Sequence, residues 1–186
     1  MSKKMMVTRQ NLLTYAAMYD SRYRGVDSEI EDGMKCRLAR QHYLRRGDLV
    51  SIGRWKSPRP SRYYLENGDS RTRQVTQMSF GNPDERQRIE SLLGSKGGLR
   101  GVGYPVASAI LHFAFPNTYP IMDFRVIESL GWDVPSSYTF DFWQKYCTEV
   151  RKVAREHDLA ISTVEKALWM YSKEKSKKCP CGDSSK

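Results

Sequence analysis

An all-α fold is what this sequence predicts, on three observations. Apolar residues recur at three- and four-residue spacing along most of the chain. Residues suited to helix starts precede several of these runs: Thr8, the Pro83-Asp84-Glu85 triplet, and Ser162 with Glu165 three positions later. Where a strand hairpin is chemically possible, at Asn67-Gly68-Asp69, the flanks lack the apolar–polar alternation that strands require.

Taken in order, Thr8 caps a first helix bearing Leu12, Leu13, Ala16 and Ala17. A second helix is expected over 34–46, stopped by Gly47. Residues 67–69 read as a helix–turn–helix crossing. Pro83, Asp84 and Glu85 open the next helix, because proline suits the first turn and acids suit its positive end. That helix carries Ile89, Leu92 and Leu93 and ends in "GSKGG". Farther on, Phe142, Trp143, Tyr146, Val150 and Val153 share one helical face. The last helix starts with a capping box, Ser162 and Glu165, and buries Val164, Ala167, Leu168 and Tyr171. The chain turns polar and lysine-rich from Ser172 and is expected to fray. The domain plan is one compact helical unit over 1–175 and a basic, flexible tail over 176–186.

The 186 residues suffice for one domain with a real core. The formal charge is +10, and +7 remains when the fourteen C-terminal residues are set aside. A basic body fits either a polyanionic partner, nucleic acid above all, or plain solubility. The longest mostly apolar run, Tyr104 to Phe115, is too short to span a bilayer and is interrupted by His112. With no secretory leader pattern, the expected location is cytoplasmic, away from membranes. Cys36, Cys147, Cys179 and Cys181 lack zinc-knuckle spacing and read as free thiols, so no metal site is assigned.

Chemistry concentrates in "LRGVGYPVASAILHFAFPNTYPIMDFRV", residues 99 to 126. Gly101 and Gly103 bracket Val102 in a turn needing positive φ or close backbone approach. Pro105 then suits a helix first turn, and Val106, Ala107, Ala109, Ile110 and Phe113 give that helix an apolar body. Unpaired amides at such a helix start can hold a phosphate; the same pattern also serves as a plain loop between packed helices. Asp123 likewise has two readings, a cap for the helix that follows or a catalytic carboxylate.

Leu99, Gly101, Val102, Gly103, Ala107, Ile110 and Leu111, followed by Tyr119, Pro120, Ile121 and Asp123, resemble the helix-hairpin-helix DNA glycosylase superfamily. The likeness is greatest to the branch of endonuclease III-like and mismatch adenine glycosylases. Asp123 follows Gly101 by 22 positions, the register of that family, and "STVEKALW" is similar to its last helix. The resemblance implies two helical lobes around a cleft, a hairpin unit over about 84–116, and N-terminal residues packed beside the C-terminal helices. It implies a monomer that binds double-stranded DNA with one nucleotide extruded and hydrolyses its N-glycosidic bond without strand cleavage, Asp123 being the catalytic acid. The excised base would be damaged, mispaired or modified, including a hypermodified base in foreign DNA. Sodium or potassium at the hairpin carbonyls would be structural. Two family features are missing. The lysine nucleophile's position holds Pro105, which has no amine, and the four-cysteine iron–sulfur loop is absent, so no cluster or other cofactor is expected.

Other residues join this expectation. Lys96, Arg100 and Tyr104 flank the hairpin glycines as DNA contacts. In "RWKSPRP", Trp55 stands among Lys56 and Arg59; it is either a stacking platform with phosphate contacts or a proline-bounded turn over a buried ring. Tyr43 and His42 are candidates for the base pocket, with a half-buried helix face as the alternative, and Phe124 is a further pocket candidate. His112 reads as a packing residue. Two rival functions stay open: a non-catalytic DNA-binding module, and a bifunctional lyase using a displaced lysine.

Overall fold

The computed structural model describes residues 7–38 and 40–177, and it is all-α, with nine α-helices among them. Helix α1, Arg9–Leu38, is capped as expected, the Asn11 N–H donating to Thr8 Oγ1 at 3.2 Å. Leu12 and Ala16 are buried, whereas Leu13 and Ala17 face outward. The helix expected over 34–46 is not a unit. Residues 34–38 end α1, and α2 begins only at Arg46 and runs to Lys56, with Gly47 in its first turn. Local chemistry explains the break. Asp48 accepts the Arg45 N–H at 2.9 Å and pairs with Arg37 Nε at 2.9 Å, which caps α2 there. Leu44, between the helices, is driven into the core with its N–H bound by Thr76 Oγ1 at 2.9 Å.

Helices α3, Ser61–Leu65, and α4, Asp69–Gly81, cross through the 67–69 turn as the sequence suggests. Asp84 caps α5, Glu85–Glu90, accepting the Gln87 N–H at 2.7 Å, so Pro83 lies ahead of the helix rather than in its first turn. Of the expected apolar residues, Ile89 is on the helix, while Leu92 and Leu93 lie beyond its end. A single 3-10 turn, Gly94–Lys96, leads to the hairpin and then to α6, Tyr104–Ala114. Helix α7 is Phe124–Ser129, and α8 is Phe140–Glu156, with Trp143, Tyr146, Val150 and Val153 buried and Phe142 half-buried. Helix α9 spans Ile161–Lys177.

Two expectations about α9 are corrected. The helix already includes Ile161, so Ser162 lies inside its first turn and the capping box with Glu165 does not form. Nor does order fade at Ser172, which is buried and donates its hydroxyl to Glu128 Oε2 at 2.6 Å while the helix continues. Cys36 and Cys147 are free thiols, exposed and buried respectively; Cys179, Cys181 and the rest of 178–186 lie outside the described residues. Among the described residues, no helix is long and apolar enough to cross a membrane.

Close helix pairs fall into two groups. In one, α1 lies along α9, which also packs on α7 and α8; in the other, α2 meets α3, α4 and α6, and α5 meets α4 and α6. Helix α1 joins the groups through α2 and α6. A cavity of about 480 Å³ has walls from both, with residues from α1, α2, α6, α7 and α9.

Candidate active site

The extended segment from Tyr119 to Asp123 is pinned from several sides. His112 Nδ1 stands 2.8 Å from the Tyr119 carbonyl oxygen, and Arg88 donates to the Tyr119 hydroxyl at 2.9 Å. The Ile121 N–H donates to Glu165 Oε1, and the Ile121 carbonyl accepts from the Tyr146 hydroxyl at 2.7 Å. The Met122 N–H is bound by Ser108 Oγ at 2.8 Å, so the small residue inside α6 serves as a polar anchor. Each such bond contributes about 0.5–1.5 kcal/mol, and together they leave the segment little freedom.

That segment delivers Asp123 to the N-terminus of α7, where Oδ1 accepts the Arg125 N–H at 3.0 Å. The second oxygen, Oδ2, lies 2.6 Å from Lys56 Nζ. The Lys56 side chain is only 8% exposed and that of Asp123 20%, so this charge-assisted bond is largely shielded from water. Asp123 is therefore a cap and a pocket carboxylate at once. Lys56, expected as an outer phosphate contact, is corrected to an inward-facing partner of the acid, because the C-terminal turn of α2 aims it into the cavity.

Glu165 is the second carboxylate of the cavity, and the capping-box reading missed it. Burial holds its carboxyl well above the usual carboxylate range, against the lowering influences of the Ile121 N–H and Lys56. Its Oε2 is 3.6 Å from His112 Nδ1. Because the Tyr119 carbonyl can only accept, Nδ1 carries the proton and the imidazole is oriented by that bond. The packing role expected for His112 holds, and the ring also lines the cavity. A signal for Glu165 does exist in the sequence: it shares a helical face with the core residues Leu168 and Ile161. Nothing in "RWKSPRP" signals that Lys56 meets an acid 67 positions away.

The hairpin is set by fit rather than by side-chain bonds at every step. Gly101 has φ +82°, and a Cβ there would lie 2.9–3.0 Å from Tyr63 and the Tyr64 ring. A Cβ on Gly53 of α2 would lie 2.6 Å from the other edge of the same ring. Tyr64 thus fills the space between the hairpin and the helix carrying Lys56, its hydroxyl donating to Ser57 O at 3.0 Å. Buried Asn67 holds both polar groups of one peptide unit's residue, accepting the Arg100 N–H at 2.8 Å and donating to the Arg100 carbonyl at 3.1 Å. Gly103 departs from expectation. Its φ of −107° is open to any residue, and it acts as the cap position of α6. Among the described residues, the N–H groups of Gly101 and Gly103 meet no protein acceptor. The carbonyls of Leu99, Arg100 and Val102 each accept one internal N–H and, like any carbonyl so bonded, keep a second lone pair.

The remaining candidates divide. Trp55 lines the cavity, half-buried, with its ring 5.7 Å from Phe113. Phe124 is 46% exposed at the cavity wall. Lys96 and Arg59 are exposed, and Arg100 is exposed with Glu66 at 3.0 Å. Tyr104 is corrected: its ring is buried at the start of α6, and burial pushes its phenol up. Tyr43 and His42 are also corrected. They sit in the non-helical link before α2, outside the cavity lining, with the Arg73 guanidinium 5.5 Å from the Tyr43 ring and His42 exposed. Among the described residues, no group of three or more His, Cys, Asp or Glu side chains is placed to hold a metal ion. Tyr19, Tyr23 and Trp169 also line the cavity, and the sequence does not signal this.

Set beside known proteins, the chain finds no match among family models, curated proteins or solved structures.

Proposed function

We propose that this protein is a DNA glycosylase that takes an extruded nucleotide into the cavity and breaks its N-glycosidic bond, leaving an abasic site. One observation carries the reading: a fixed carboxylate, Asp123, and a buried carboxyl, Glu165, face one cavity large enough for a base. Two carboxyl groups with opposed surroundings are what acid-assisted glycosidic cleavage uses. The resemblance of residues 99–123 to the hairpin glycosylases supports the same conclusion from the sequence side.

In this reading the base must leave the stack before its anomeric carbon can be reached. The bond from that carbon to the base nitrogen breaks, its electron pair leaving with the base, which takes the Glu165 proton. Asp123 stabilises the positive sugar and accepts a proton from the attacking water, whose oxygen bonds to the carbon. The Gly101 and Gly103 amides hold a strand phosphate. An alkali ion on the hairpin carbonyls, when bound, adds positive potential beside that phosphate.

A second reading is favoured by the Lys56–Asp123 distance of 2.6 Å. In it Asp123 takes a proton from Lys56 as the nitrogen attacks the same carbon, and the base leaves with the glycosidic electron pair and the Glu165 proton. The ring carbon–oxygen bond then breaks with its pair on oxygen, and the amine's further proton moves to that oxygen, giving an imine. Lys56 would then supply the amine that Pro105 cannot.

The test is a panel of duplexes, each bearing one modified or mispaired base, assayed for abasic product with wild type and Asp123→Asn. Wild type should release one class of base. The variant should bind duplex as before and lose about 10²–10⁴-fold in excision. Retained turnover in the variant sinks the reading. Borohydride trapping on abasic DNA separates the two chemistries: a covalent adduct lost in Lys56→Gln establishes the amine, and no adduct establishes hydrolysis.

A further inference from the structure

At the far end of the cavity, two cations meet over one indole. The Arg125 guanidinium carbon is 5.6 Å, and Lys173 Nζ is 4.7 Å, from the Trp169 ring centroid. Lys173 also lies 4.6 Å from the Tyr23 ring centroid and donates to the Tyr23 hydroxyl. Arg125 stands 5.0 Å from the Phe124 centroid. The other cavity cations are neutralised, Lys56 by Asp123 and Lys166 by Asp20 at 2.9 Å. Among the described residues, neither Arg125 nor Lys173 has a carboxylate within ion-pair distance. Glu31, on the α1 side, is the other acid of this wall besides Asp123 and Glu165.

Aromatic faces position a cation without cancelling its charge, unlike a carboxylate. Two like charges on one ring repel each other, and an anion at the ring's edge within reach of both long side chains relieves that repulsion while gaining charge-assisted bonds. Position narrows the ligand. Glu165, Trp169 and Lys173 follow at four-residue steps on one face of α9, which puts Lys173 about 12 Å along the axis from Glu165. Arg125 begins the same wall, two residues after Asp123, whose Oδ1 holds its amide. The cation pair therefore lies on the α7–α9 side of the cavity, next to the proposed catalytic acid and farther along α9 than Glu165.

Resting on the glycosylase reading, we infer that Arg125 and Lys173 over Trp169 form an anion subsite for a phosphodiester flanking the extruded nucleotide. It is separate from the hairpin amides, so the strand is gripped at two places around the reacting sugar.

The test measures affinity for a duplex with a stable abasic-site analogue across a salt series, using wild type, Arg125→Gln, Lys173→Gln and the double variant. A second set of duplexes replaces each flanking phosphodiester in turn by an uncharged methylphosphonate. The double variant should bind more weakly and lose about 0.9 from the magnitude of the log–log salt slope, the change for one phosphate. One methylphosphonate should weaken wild type and leave the double variant unaffected, with unchanged circular dichroism confirming the fold. An unchanged slope, or additive losses at every linkage, overturns the subsite. So does a loss seen only with a charged substituent on the extruded base, which would make this a base-reading site. Base release with an unchanged slope refutes the subsite alone. A slope change without base release from any duplex supports it and refutes the glycosylase reading.

Discussion

The Tyr119–Asp123 segment and the Leu99–Gly103 hairpin lie on either side of α6 and are secured by opposite means. Around Asp123, His112, Glu165, Tyr146 and Ser108 each bind a backbone group, so the peptide is used up and only the side chain is presented. At the hairpin, Tyr64 and Asn67 support the turn from beneath, and the amides of Gly101 and Gly103 stay available. On the proposed reading the contrast is one of purpose. A side chain that acts on a bond needs a fixed backbone behind it, whereas a backbone that binds a phosphate must leave its own donors unused.

That contrast can be broken from either side. After Asp123→Asn, the largest effect is expected from Glu165→Gln, which keeps an acceptor for the Ile121 N–H but removes the proton. Base release should fall about 10²-fold, and the decline of the wild-type rate as pH rises through the raised Glu165 pKa should vanish. Groups facing Glu165 that bear on this profile are Lys56 of α2, His112 of α6, Asp123, Tyr146 and Cys147 of α8, and Lys166 of α9. Stability gives an independent reading. A carboxyl whose folded pKa is raised holds its proton more tightly when folded, so stability falls as pH rises from the ordinary glutamate value through the raised one. Thermal midpoints should show that fall in wild type, and the Gln variant should flatten it and be the more stable at neutral pH.

Next is Gly101→Ala. Its left-handed φ costs an alanine about 1–2 kcal/mol, and the Cβ presses on Tyr63 and Tyr64. A urea midpoint lowered by that amount, with duplex affinity lowered as well, would tie the turn's shape to binding. Smallest is Asn67→Ala, which leaves the part-buried Arg100 N–H without its acceptor at a cost of about 1 kcal/mol. Loss of stability with duplex affinity unchanged would show that the hairpin holds its form on Tyr64 alone.

The helical class, the turn at 67–69, the Thr8 cap and Pro105 in the first turn of α6 were legible because each depends on nearby residues. Thr8, Asp84, Thr139 and Asp123 cap helices within three positions of themselves, a distance sequence patterns resolve. Boundaries failed where a distant partner won. Leu44 left the expected 34–46 helix for a bond to Thr76, and Glu165 gave up a capping role for the Ile121 amide. The site was half legible for the same reason. Asp123 announces itself through the residues before it, but Lys56, Glu165 and the aromatic wall belong to helices that meet only in the folded chain.

Tyr64 has a consequence for how this chain can vary. Its ring is the spacer between positions 53 and 101, with hydrogen the largest substituent either α-carbon tolerates. The three residues therefore act as a single volume: a methyl gained at 53 demands a smaller ring at 64, and that in turn leaves position 101 undersupported. A substitution that reshapes the α2 end therefore reshapes the turn as well, which couples the placement of Lys56 to the form of the hairpin.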